Sequence, residues 1–159
     1  MPNYSTIGGY ELEVEESADI RGAAVYGTND EELGKIDDAI FDADTGDIRY
    51  VVVDMSGWLH SRRFIIPADK LYSSPEHKDD FKVDLTKAQI EKFPPYEENA
   101  LGPSDKFLDY ERRHRAAWPA TAEARTGARG PRWSAFEGRV REHRDRIIAH
   151  VPQRERKVS

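Results

Sequence analysis

The sequence predicts a mainly β fold, a small barrel or sandwich, with a basic C-terminal extension that is helical or partly disordered. Three observations carry this. Short apolar runs separated by Gly and Asp turns recur from Ala24 to Val83. After Pro103 the texture changes to longer segments with helical spacing and many arginines. The charge divides along the same line: residues 1–109 hold 11 Lys and Arg against 24 Asp and Glu, a net of −13, whereas residues 110–159 hold 13 against 6, a net of +7. With 38% apolar and 34% charged residues the chain is lean for one core, which favours a core domain over residues 1–100, folded from about 8 to 96, and an extension over 101–159.

Near the N-terminus, Tyr10, Leu12 and Val14 alternate with Glu11, Glu13 and Glu15, so one face of this stretch is expected to be buried. A short strand is predicted at Ala24–Tyr26, and a longer one over Leu33–Asp42. Its imperfect alternation suggests a bulge, and Gly34 a close backbone approach. Asp42–Asp47 reads as a turn. Ile48–Met55, with three consecutive valines, is the strongest strand and is expected to be central or buried on both faces. Arg63–Ile66 is another strand, stopped by Pro67, and the segments at Lys70–Tyr72 and Phe81–Asp84 are weaker ones. Ile36, Ile40, Val51, Val53, Ile65 and Leu71 are the expected core. Thr86 with Gln89 forms a capping box for a short helix that Pro94-Pro95 ends. Ser104–Ala117 is a predicted helix with Phe107, Tyr110, His114 and Ala117 on one stripe. Ala120–Pro131 reads as a flexible linker, and a second capping box at Ser134 opens a helix to about Val151 with Trp133, Phe136, Val140, Ile147 and Val151 at helical spacing.

The ordered set Gly22-x-x-Val25-Tyr26, Leu33-Gly34-Lys35-Ile36-Asp37-Asp38, Asp42-x-Asp44-Thr45-Gly46, Ile48-Arg49-Tyr50-Val51-Val52-Val53, Gly57-Trp58-Leu59 and Ile65-Ile66-Pro67-Ala68 resembles the PRC-barrel family. Val83-Asp84-Leu85-Thr86 and Pro94-Pro95-Tyr96 resemble the segment C-terminal to the core in stand-alone bacterial members. The resemblance implies a small barrel of about six strands with a short helix. It also implies a scaffold for protein contacts, as in the cytoplasmic part of the photosynthetic reaction-centre H subunit and in the C-terminal domain of a ribosome maturation factor. Some members of the family are associated with stress responses.

The residues point away from several chemistries. There is no cysteine, which removes disulfides and thiolate catalysis. Met1–Tyr10 lacks the pattern of a secretory signal and no run approaches a membrane span, so a cytoplasmic location is expected. An EF-hand loop starting at Asp42 has Gly46 and Asp47 where an acid and a glycine belong, and Val53 where Glu belongs. His60, His77, His114, His143 and His150 include no pair at i, i+4. No catalytic triad or phosphate-cradling glycine motif is present. The expectation is a protein that is not an enzyme, with no metal and no cofactor. Two groups are candidates for binding a protein partner or a second copy: Trp58, His60, Arg62 and Arg63 at a hairpin, and Trp133, Phe136, Arg139, Arg141, Arg144 and Arg146 on the last helix. The alternative is a nucleic-acid- or ribosome-associated factor using the basic region, although Glu137, Glu142 and Asp145 dilute its charge. The basic helix is also expected to be able to dock on the acidic barrel, within one chain or between chains.

Overall fold

The computed structural model of the chain describes residues 4–8, 10–55, 63–77, 79–93, 104–117 and 130–150. The strands are β1 (Tyr4–Thr6), β2 (Ala24–Tyr26), β3 (Glu32–Asp42), β4 (Ile48–Asp54), β5 (Arg63–Pro67), β6 (Leu71–Ser73) and β7 (Phe81–Val83). The helices are α1 (Lys87–Ile90), α2 (Ser104–Ala117) and α3 (Gly130–His150). Six strands, in the order β5-β4-β3-β2-β7-β6, form an open half-barrel, and β1 adds to β3. Every pairing is antiparallel except that of β2 with β7. The strand-built barrel with a helical C-terminal part is the fold the sequence predicts.

β3 organises the sheet. β4 pairs along one edge, and β2 and then β1 share the other. The register with β4 shifts between Ile36 and Asp38 and again between Ile40 and Phe41. The first shift puts Ile36, Ala39 and Phe41 into one hydrophobic cluster despite their odd spacing, while Ile40 faces a second cluster with Tyr50, Val52 and Ile65. Gly34 lies against β4, where a Cβ would stand 2.5 Å from the Asp54 carbonyl oxygen. β4 is flanked by β3 and β5, and its valines divide between the faces: Val51 and Val53 enter the main cluster and Val52 the second. All six expected core residues are buried.

Residues 10–15 keep the predicted alternation of burial, with Leu12 inside and the glutamates outside, but form no strand. Their amides are used locally: Tyr10 N donates to the Ile7 carbonyl and Leu12 N to that of Tyr10. β1, which sequence patterning did not single out, is held by β3 and by Asp38. That half-buried carboxylate at the bulge accepts the amides of Ile7 and Ala39 at 3.1 and 2.7 Å and that of Gly8 at 3.2 Å. The capping box at Thr86 and Gln89 is complete. α2 has the predicted bounds. α3 starts earlier than predicted: Gly130 takes φ +83°, Pro131 occupies the first turn, and the Ser134 hydroxyl bonds back to the Gly130 carbonyl at 3.4 Å instead of capping. Gly130 and Pro131 thus belong to the helix. The rest of the expected linker, together with Val151 and Pro94-Pro95, lies outside the described residues.

Candidate interaction surface

Their place among arginines makes Trp133 and Phe136 candidates for a partner-facing surface. They are instead inside: Trp133 is 2% and Phe136 0% exposed, and with Val140 and Ile147 they belong to the same cluster as the barrel's Ile7, Ile20, Phe41, Phe81 and Val83. The physical reason is that the half-barrel is open and the 3-4-7 spacing of these four residues gives α3 one apolar edge to close it. Trp133 meets Phe81 edge-on at 6.0 Å, and the Arg21 guanidinium covers the Phe136 ring at 5.5 Å. The core therefore continues past residue 96 into the basic half of the chain. His143 and Arg144, which interrupt the stripe, are half-buried, His143 lying beside Tyr10.

Polar ties fix the register of α3. Arg132 donates to the carbonyls of Asp19 and Asp79 at 2.7 and 2.6 Å, and Arg139 to that of Glu13 at 2.9 Å. Glu137 accepts the Ile48 amide at 2.8 Å. Arg141 pairs with Asp47 at 2.7 Å, which holds the Asp47 carboxyl below its usual range. Only the last of these joins opposite charges across the two halves, and it is about half exposed, so the charge split contributes little to the docking. Burying four large apolar side chains, at about 1.5–3 kcal/mol each, contributes most of it.

The turn after β3 is the seat for the middle of the helix. Asp42 accepts the Asp44 amide at 2.8 Å and Thr45 that of Asp47 at 3.1 Å, so these two side chains are engaged with the turn's own backbone. Gly46 has φ +83°, and a Cβ there would stand 2.9 Å from the Arg141 Cα. Gly46→Ala is expected to cost about 1–3 kcal/mol in urea denaturation, from the left-handed backbone and the collision with α3. Gly138→Ala, on the same helix with nothing within 4 Å of its Cβ, is the opposite case and should gain up to about 1 kcal/mol.

α2 covers the other sheet face. Tyr110 joins Ile40, Tyr50, Val52 and Ile65, and the Tyr50 hydroxyl bonds to Glu111. His114, 2% exposed, donates from Nε2 to the Ile65 carbonyl at 2.7 Å and packs edge-on against Phe93. Burial pulls its pKa down to about 4, so it is neutral at pH 7. Burial likewise pushes Asp38 up to about 6, against the pull of its three backbone donors. Phe107 and Ala117, the other residues of the predicted stripe, have side chains outside those described.

Of the arginines predicted to bind a partner, Arg139 and Arg141 are turned to the protein itself. Arg144 and Arg146 reach only the Arg141 carbonyl and His143 Nδ1, and neither pairs with a carboxylate among the described residues. Arg63 is exposed and pairs with Asp37 at 3.2 Å. Trp58, His60 and Arg62 lie outside the described residues. An open cleft of about 620 Å³ runs between residues 13–18 and α3, lined by Val14, Ala18, Ala135, Arg139 and two glutamates. Among the described residues no group of three or more His, Asp or Glu side chains is placed to hold a metal ion, and no helix is long and apolar enough to cross a membrane.

An open half-barrel, bulged in its longest strand and with an N-terminal strand added to that strand, defines the class: a small strand-built domain. Residues 12–90 match the model of the PRC-barrel domain, and the chain belongs to the PRC-barrel family. It is also 35% identical over 75 residues to an uncharacterized protein of Deinococcus radiodurans, an alignment covering 47% of this chain and 27% of that relative. The chain thus spans about a quarter of the relative it matches.

Proposed function

We propose that the protein is a non-enzymatic interaction module in which Arg144 and Arg146, on opposite flanks of α3, present two cationic points to acidic groups of a partner protein. The observation that carries this is the seating of α3. Its apolar edge is locked into the barrel core, so Arg144 and Arg146 sit on a fixed surface and lose little ordering entropy on binding. The two strongly shifted groups, Asp38 and His114, are engaged by backbone amides and a backbone carbonyl, which favours structural over catalytic roles for them. Glu137, Glu142 and Asp145 interleave with the arginines along the helix, a mixture that suits a patterned protein surface better than a uniform run of phosphates.

The test uses the full chain and its Arg144→Glu/Arg146→Glu variant as baits for purified partners taken from wild-type pull-downs. The double reversal should weaken binding of a nuclease-treated protein partner at least about tenfold, given coupling of a kcal/mol or more per close charge pair. Tight binding of the wild type to a single-stranded RNA oligonucleotide, falling steeply with salt and lost in the variant, would replace this reading with the nucleic-acid one.

A further inference from the structure

We infer that the barrel groove under α3 is a helix-binding site, filled in cis by the chain's own helix, and that its trans occupant is α3 of a second copy. The inference rests on the interaction-module reading but adds a partner to it.

Four features converge. The site is built like a helix-in-groove interface: Trp133, Phe136, Val140 and Ile147 are anchors at helical spacing, fully enclosed by barrel side chains. Its rim is specific as well as apolar, because Arg132 and Glu137 engage backbone carbonyls and an amide of the barrel. α3 contributes no strand to the sheet, so exchanging it for the same helix of a second copy preserves every strand pairing. Finally, 12 residues, 118–129, separate the end of α2 from the start of α3. Fully extended, a segment of that length spans roughly 40 Å, enough to carry α3 to a neighbouring copy while α2 stays on its own sheet.

The energetics decide when each occupant wins. A vacated groove would expose the four buried side chains of α3 and the barrel core beneath them to water, so an open monomer is not an appreciable species. Exchange between copies restores the same contacts on both barrels. The balance is then set by the effective concentration of the tethered helix, on the order of millimolar for a short linker, against that of the protein. Dilute chains close on themselves, and local crowding drives exchange.

The absence of native cysteine makes the test clean. Asp47→Cys and Arg141→Cys remove the exposed Asp47–Arg141 pair, and with it the longer Arg141–Glu137 pair, and place thiols across the groove rim. The doubly substituted chain, treated with a short bis-maleimide, should give an intrachain link and shows that the geometry permits one. The two single variants are then mixed, refolded together from denaturant and cross-linked. An interchain link from residue 47 to residue 141, identified by peptide mass, should rise roughly a hundredfold in yield between roughly 1 and 100 µM protein, following mass action. Its absence at all concentrations, or a yield indifferent to concentration, while the doubly substituted chain links within itself, overturns the inference. That failure leaves the interaction-module reading standing, because that reading requires only the closed chain.

Discussion

Phe136→Ala is expected to lower the unfolding free energy by about 3–5 kcal/mol, in a single transition that reports helix and sheet together. Phe136 is fully enclosed between the barrel and the Arg21 guanidinium, so the truncation leaves a cavity that neighbouring side chains cannot close. Arg141→Ala removes the ion pair between α3 and the turn after β3, with a longer 3.4 Å pair to Glu137, and should cost only about 0–1 kcal/mol, since Arg141 and Asp47 are about half exposed. The ratio identifies what holds α3. If urea titrations showed a small loss for Phe136→Ala and a large one for Arg141→Ala, the helix would be an electrostatic attachment and not a wall of the core.

The second large effect is a pH dependence. His114 has a folded-state pKa of about 4, below its unfolded value of 6.5. As pH falls through this window the unfolded chain takes up the proton first. The contribution of His114 is therefore complete above pH 6.5 and lost as pH falls towards 4, by about 3 kcal/mol. Asp38 runs the other way. Its folded-state pKa of about 6 lies above 3.8, so its contribution is complete below 3.8 and lost as pH rises through 6. The two slopes oppose each other between about pH 4 and 6, and the wild-type profile conceals both. His114→Gln, which keeps an amide donor for the Ile65 carbonyl, separates them. The stability difference between wild type and variant should shrink by about 3 kcal/mol from about pH 7 to about pH 4. A difference constant across that range would mean that His114 is not buried neutral against β5.

The barrel was legible in the sequence because its signals are local. The valine run of β4 needs neighbours on both sides, the Asp42–Asp47 segment has the residues of a tight turn, and Thr86 with Gln89 supplies both halves of a cap. The irregular β3 pattern was correctly a bulge, since only an inserted residue brings Ile36 and Ala39 to one face. The illegible parts depend on long-range packing. Glu11, Glu13 and Glu15 alternate with apolar residues as a strand would, but Arg21 claims the Leu12 carbonyl, and among the described residues no strand pairs with this segment. β1 carries no pattern of its own and is placed by its pairing with β3, while Asp38 holds the amides of Ile7 and Gly8 just after it. On α3, an aromatic pair among arginines has the composition of a binding surface, and only an open barrel edge in the same chain makes it core. The signal present was the spacing of Trp133, Phe136, Val140 and Ile147, four large residues on one narrow edge. Likewise, the −13 and +7 halves suggested that charge brings them together, whereas the contact is apolar and the arginines mostly reach backbone carbonyls.

The central claim is that α3 is part of the barrel's core, held by burial and not by charge. Native-state hydrogen exchange on the full chain tests it most directly. The amides around Phe136 and Val140 should open with the same free energy as those of β4, and should do so equally at low salt and at about 1 M salt, where the Debye length is about 3 Å. Exchange of α3 well before the strands, or protection of α3 that collapses in high salt, would contradict it.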